Sequence, residues 1–331
     1  MQRKEIFIGI DVSKEWLDVA IYSKKEHTRI LNSSQGFKQL QSWLKAASID
    51  LTDCWIVFEY TGGYEYKLVQ FCLSKHLTFT RVPGLEIKKS LGMQRGKNDK
   101  IDAYRISNYG YEKKDKLIPQ TASPAGITEL RQLLTQRRAF VKEKKANEHR
   151  LNELLSMMDF KKNDPVIKYY RQAIGHATKM IDKVQVALMT VITSHQNIHR
   201  NFILISSVVG IGNVNAWMTI AYTENFQCFK DGRQYGAYCG IVPYDHSSGK
   251  SIKSRSRISH MANKAVKGDL DMAARAAAMH DPEIKAYYQR RALLGKHHMS
   301  IMNEIKFKLV LRMFAVVNKQ EVYVKKLKSA A

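Results

Sequence analysis

Four carboxylates stand out by where they fall in the chain. Asp11 closes the apolar run Ile8-Gly9-Ile10, and Glu59 closes another, Ile56-Val57-Phe58. A carboxylate at the end of a buried strand is costly unless something pairs with it, and a metal ion is one good partner. Asp99 and Asp102 stand three residues apart, a spacing that puts both on one face of a helix. Each alone has an ordinary reading, Asp11 capping a turn and Asp99 serving as an N-cap. Together the four could hold two Mg2+ ions for attack at a phosphodiester. A second stretch has the opposite character. From His246 to Gly268 there is no acidic residue, while Lys250, Lys253, Arg255, Arg257, Lys264 and Lys267 supply positive charge suited to a phosphate backbone.

The elements that must position these residues are legible in the apolar pattern. Ile6–Ile10, Trp16–Tyr22 and Thr28–Asn32 read as three sequential strands, antiparallel because their connections are short. Phe37, Leu40, Trp43 and Leu44 fall at helical spacing. Cys54–Phe58 reads as a fourth, buried strand, Tyr66–Ser74 as a helix, and Leu77–Val82 as a fifth strand closed by Pro83-Gly84. Three strands, helix, strand, helix, strand is the order of the ribonuclease H-like fold. Its first and fourth strands are neighbours, so Asp11 and Glu59 would lie side by side. Gly9-Ile10-Asp11 also fits the phosphate loop of actin-like sugar and acetate kinases. Those enzymes usually duplicate the fold, and no second Asp-Gly loop is found here.

Residues 123–193 read as helical throughout. Ile127, Leu134, Val141 and Leu155 share one heptad position and Leu130, Leu151 and Met158 the other. After Asn163-Asp164-Pro165 a cleaner seam runs from Ile167 to Val191. The pair predicts an antiparallel hairpin, an oligomerising coiled coil, or a helical linker packed on its own domain. Val209-Gly210-Ile211-Gly212, between two apolar helical stretches, has the pattern of a helix-hairpin-helix. Gly210 and Gly212 would let backbone N–H groups approach a phosphate, although a packing turn explains them equally well. The segment from Ala273 to Leu327 reads as mostly helical. The expected architecture is therefore an α/β, ribonuclease H-like domain over 1–122, a helical segment over 123–198, and a mainly α domain over 199–331.

The 331 residues carry 54 Lys+Arg against 30 Asp+Glu, a net charge of +24. A balance this basic points to a polyanion, with nucleic acid the first candidate. Residues 199–331 hold 21 basic and 9 acidic side chains, half of the excess. The composition excludes disordered and collagen-like classes. Cys54, Cys72, Cys228 and Cys239 are scattered without a C-x-x-C, which argues for reduced thiols and against zinc or a disulfide framework. The chain opens Met-Gln-Arg-Lys-Glu and runs straight into a strand, so no secretion signal is expected. The uncharged stretch Asn201–Thr223 is broken by glycine and asparagine, so no membrane span is expected either. A cytoplasmic protein follows as the expectation.

At this point the residues resemble a known family, the DEDD-type insertion-sequence transposases of the IS one-ten family, which also include the Piv site-specific DNA invertases. The resemblance covers nearly the whole chain. It rests on Gly9-Ile10-Asp11-Val12-Ser13-Lys14, Glu59-Tyr60-Thr61-Gly62-Gly63-Tyr64, Lys97-Asn98-Asp99-Lys100-Ile101-Asp102-Ala103 and Gly210-Ile211-Gly212. It continues through Tyr238-Cys239-Gly240-Ile241-Val242-Pro243, Ser248-Gly249-Lys250-Ser251, Ser254-Arg255-Ser256-Arg257-Ile258-Ser259 and Asn263. The resemblance implies a RuvC-like domain over 1–122 whose Asp11, Glu59, Asp99 and Asp102 bind Mg2+, a coiled-coil linker over 123–198 and a serine-containing transposase domain over 199–331. It also implies a nucleophile at Ser248, forming a covalent 5′-phosphoserine bond with DNA. A structured bridge RNA would pair with donor and target DNA. The protein would act as a homo-oligomer, dimer to tetramer, with one subunit's RuvC-like domain completing the site around another's serine. A serine hydroxyl is a weak nucleophile and needs a base, a metal or positive charge nearby, which Lys250, Lys253, Arg255 and Arg257 offer. Lys97, Gly210 and Gly212 join those four as candidate nucleic-acid contacts. Ser247 is the alternative nucleophile, and Asp245-His246 departs from the arginine-rich character expected before the serine. The competing functions are a RuvC-like nuclease without a covalent intermediate and a non-catalytic nucleic-acid-binding scaffold.

Overall fold

The computed structural model describes residues 6–22, 24–90, 98–157, 159–160, 164–248, 252–258 and 262–324, with 245–248 and 252–258 described as backbone. Lys97, Met158, Gly249, Lys250 and Ser251 lie outside the described residues. The chain divides into two compact units, Met1–Ala122 and Ser123–Ala331.

The first unit runs β1 (Ile6–Val12), β2 (Trp16–Ile21), β3 (Glu26–Leu31), α1 (Ser34–Ala46), β4 (Cys54–Glu59), α2 (Tyr66–Ser74), β5 (Thr78–Val82), α3 (Gly84–Ser90) and α4 (Asp99–Glu112). The five strands form one sheet in the order β3-β2-β1-β4-β5. β1, β2 and β3 pair antiparallel, whereas β4 and β5 join in parallel. The parallel crossover needs a connection long enough for a helix, and α1 and α2 supply two.

Period-two alternation sorts the strand residues onto two faces. Ile8, Ile10, Leu17, Val19, Ile56 and Phe58 share a core with Phe37, Leu40 and Leu44 of α1 and Leu68 and Cys72 of α2. Val57 and Val82 face the other way, against Ile87 of α3 and Ile106 and Tyr109 of α4. Asp11 and Glu59 share the parity of Val57, so both lie on the α4 face. Gly9 is what lets α4 come so close. A Cβ there would stand 2.2 Å from the backbone nitrogen of Ser107 and 2.3 Å from the carbonyl oxygen of Ala103.

The second unit opens with α5 (Ile127–Met157) and α6 (Pro165–Ser194), followed by α7 (Gln196–Ser206), α8 (Asn213–Tyr222) and α9 (Gly232–Tyr238). A two-stranded ribbon, β6 (Pro243–Ser248) and β7 (Ile252–Ile258), precedes α10 (Lys264–His280), α11 (Pro282–Leu293) and α12 (His298–Lys319). α5 and α6 pack on each other with Leu151, Ile167, Ala177 and Ile181 buried, whereas Leu155, expected on the seam, is exposed. They are not a separate body, however. Ile127, Leu130 and Leu134 of α5 and Val184, Leu188 and Val191 of α6 enter the same core as Trp217, Tyr235, Leu309 and Met313. The expected boundary at 198/199 thus falls inside one compact unit, because the apolar positions at the start of α5 and the end of α6 belong to that core. No described helix is long and apolar enough to cross a membrane.

Candidate active site

Asp11 and Glu59 arrive from adjacent parallel strands. The last bridged pair is Ile10 with Phe58, so the two carboxylates stand one position beyond it at the same sheet edge. Glu59 lies over Gly84, whose missing side chain makes the room: a Cβ there would be 1.5 Å from Glu59 Oε1. α4 brings Asp99 and Asp102 in its first turn, capped by Asn98, whose side chain accepts from the Lys100 amide.

Burial pushes the Asp11 carboxyl up to about 6, and the negative charges of Asp102, Asp99, Glu59 and Asp18 push it the same way. The other three expected carboxylates therefore act on Asp11, together with a further one, Asp18. Asp18 is directly opposite Asp11 across β1 and β2. It is buried and held by His27 Nε2 at 2.9 Å and Arg29 Nε at 3.5 Å. Arg29 also reaches Asp99, at 3.7 Å, while Arg105 donates to Asp102 Oδ1 at 2.7 Å. Arg29 and Arg105 thus pair with three of the acidic side chains, Asp18, Asp99 and Asp102.

An oxygen-only donor set of this kind suits a hard divalent cation. Among the described residues, however, no three His, Cys, Asp or Glu side chains stand close enough together to hold one ion. The four carboxylates share a neighbourhood without being gathered to ligand distance, and Asp102 pairs with Arg105 and Asp99 with Arg29.

The serine candidates belong to the second unit. Ser248 is the last residue of β6, opposite Ile252, and Ser247 is opposite Lys253. Tyr244 is opposite Arg257, with a register irregularity between Tyr244 and His246. Successive strand positions fall in alternate rows, so the register places Ser247 in the row of Lys253 and Ser248 in the row of Ile252. Lys253 and Arg255 are two apart on β7, as are Arg255 and Arg257.

The two turn glycines differ. Gly210 has φ +96°, and a Cβ there would be 2.6 Å from the Ala273 carbonyl oxygen and 2.8 Å from the Ala277 side chain. Close packing on α10 accounts for it. Gly212 caps the N-terminus of α8, and a Cβ there would meet nothing within 4 Å.

Asp18, His27 and Arg29 are the residues that the sequence reading passed over. The signal for Asp18 was present, a lone acid inside the apolar strand Leu17-Asp18-Val19-Ala20-Ile21. His27 and Arg29 become visible only through the β2–β3 register.

Comparison with known proteins agrees in both units. A DEDD-type IS110 transposase family model matches residues 8–158, and the model described as the transposase IS116/IS110/IS902 family matches residues 203–289. The pilin gene-inverting proteins of Moraxella bovis and Moraxella lacunata are each 25% identical over 328 residues, covering 97% of this chain and 98% of theirs.

Proposed function

The chain belongs to the IS110 family of transposases and is a DNA recombinase, and from that premise we propose that it cuts and rejoins DNA through a serine–phosphodiester intermediate. The first unit is read as a RuvC-like domain with Asp11, Glu59, Asp99 and Asp102 as ligands of Mg2+. The observation that carries this reading is the convergence of four like charges on the half-buried Asp11 carboxyl, a group that a divalent cation would stabilise as carboxylate. Bound there, Mg2+ would neutralise charge on the reacting phosphate and help to activate the attacking hydroxyl.

In the proposed reaction, Ser248 Oγ attacks phosphorus and gives up its proton to a carboxylate base. The bond from phosphorus to the 3′ oxygen breaks, that oxygen takes up a proton, and a 5′-phosphoserine remains. Attack by a 3′-hydroxyl on the same phosphorus releases Ser248, so one phosphodiester is exchanged for another without ATP. Lys97, Lys250, Lys253, Arg255 and Arg257, with the backbone at Gly210 and Gly212, are assigned to gripping phosphates. A structured bridge RNA and assembly as a dimer to tetramer complete the reading. Inversion, the act named for the Moraxella relatives, is one of the outcomes such chemistry allows.

The test traps the adduct. Labelled DNA incubated with the protein is run on a denaturing gel beside Ser248→Ala, Ser247→Ala and Asp11→Asn. Loss of both adduct and recombination in Ser248→Ala and Asp11→Asn is expected. Loss of recombination in Asp11→Asn alone would remove the serine from the mechanism. Sequencing the RNA that co-purifies should return one discrete structured species; its absence would count against the bridge-RNA reading.

A further inference from the structure

One edge of the first unit's sheet collects an uneven share of exposed aromatic side chains. β1, β3, β4 and β5 end at this edge and β2 begins there. Trp16 opens β2, Tyr60 follows Glu59 at the end of β4, and Tyr64 and Tyr66 lead into α2. All four are between 39% and 52% exposed. Two of these rings have a guanidinium over them, Arg29 at 5.4 Å from the Trp16 ring centre and Arg81 at 4.8 Å from that of Tyr60. Arg29 is the same side chain that reaches Asp18 and Asp99, so the aromatic edge begins where the carboxylate cluster ends.

The backbone beneath these rings is tied down. The buried Asn32 side chain donates to the carbonyls of Ser13 at 3.1 Å and Tyr64 at 2.9 Å, clasping the β1–β2 turn to the loop after β4. Glu65 accepts from the Thr61 hydroxyl and the Gly63 amide, closing that loop on itself. Between Tyr60 and Tyr64, Gly62 and Gly63 have φ of +80° and +135°, and a Cβ on either would meet nothing within 4 Å. Bare backbone therefore lies open between the two rings.

Rings half in water on a tied-down backbone, two of them with a guanidinium over the ring, make up a stacking platform for nucleobases, with the cations suited to the adjoining phosphates. A base inside a paired duplex keeps its faces hidden, so the nucleotide that can use such a platform is an unpaired one. We propose that the Trp16–Tyr60–Tyr64 edge takes up unpaired nucleobases of the strand whose phosphate enters the carboxylate cluster. The inference rests on the DNA-cutting reading of that cluster.

The test compares two duplexes of one sequence in EDTA, so that no cleavage intervenes. One is fully paired, and the other carries a short unpaired gap containing 2-aminopurine. The full-length protein should bind the gapped probe about tenfold more tightly than the paired one and change the 2-aminopurine emission on binding. Trp16→Leu combined with Tyr60→Leu should bring that preference to within about twofold, and Tyr60→Phe should retain it. Tyr64→Leu alone is the second variant should the pair lower the melting midpoint, and it should weaken the preference too. A preference unchanged in folded leucine variants overturns the proposal, as does an absence of preference in the unsubstituted protein. Failure to bind either probe would instead overturn the DNA reading on which the proposal stands. A ribonucleotide gap in the same probe distinguishes an RNA from a DNA source, and a preference for either unpaired strand supports the platform.

Discussion

At Asp11 chemistry and stability pull in opposite directions. Its folded carboxyl titrates near 6 rather than 3.8, so the fold binds this proton more tightly than the unfolded chain does. The stabilisation from that proton is full below the unfolded value and is lost as pH rises through about 6. Asp11→Asn removes the charge and should therefore stabilise the metal-free protein at pH 7, by about 1 kcal/mol once solvent screening is allowed for. Scanning calorimetry in EDTA should show a midpoint higher by about 3 °C. A lower midpoint would mean that the like charges do not act on Asp11 as described. Mg2+ should then raise the midpoint of the unsubstituted protein and do little for the variant. Gly9→Ala acts in the other direction. Its methyl would meet backbone atoms of α4, which cannot rotate away, and a loss of about 2–4 kcal/mol in urea titration is expected.

Elements carry the contrasts that single residues do not. α11 and α12 are joined through Glu304, which accepts from Tyr287 at 2.7 Å, from Arg291 at 2.9 and 3.1 Å, and from Lys296. Burial alone would raise this carboxyl; the hydrogen bonds from Arg291, Lys296 and Tyr287 outweigh it and hold it at about 2. Because the folded value is depressed, the contribution is present above about 4.5 and is lost as pH falls through about 2. Glu304→Gln should cost about 1–3 kcal/mol at pH 7, and the difference should shrink over that acid range in urea titrations at stepped pH. In the turn between α7 and α8, Gly210→Ala should destabilise strongly, whereas Gly212→Ala should cost within about 1 kcal/mol. That makes Gly212 the position at which a DNA-binding change can be read without unfolding. The strands and helices of the first unit were legible because burial writes a period of two or 3.6 directly into the residues. The partners of Asp18 were not, since His27 and Arg29 meet it only through register across two strands. The α5–α6 seam was legible as a seam, but not its absorption into the larger core, which depends on residues a hundred positions away such as Leu309.

Over the whole molecule, a net charge of +24 sets the dependence on salt. If six to ten phosphates are contacted, affinity for DNA should fall by about 10³–10⁵ between 50 and 200 mM salt. Neutralising Lys253 and Arg255 together should reduce the logarithmic slope by roughly 2, and filter binding at stepped salt measures it. The carboxylates and the serine ribbon belong to different units, which is why the sequence could suggest both sites but not their relation. The division at Ala122/Ser123 also bears on inheritance. Each hydrophobic cluster draws its residues from one side of that point, so a crossover between related genes there would leave every core with its own set of side chains. Chimaeras joined at 122/123 should express as folded proteins where junctions inside β4 or α12 fail. A lineage could thereby trade one half of such a protein for another's without first having to redesign either.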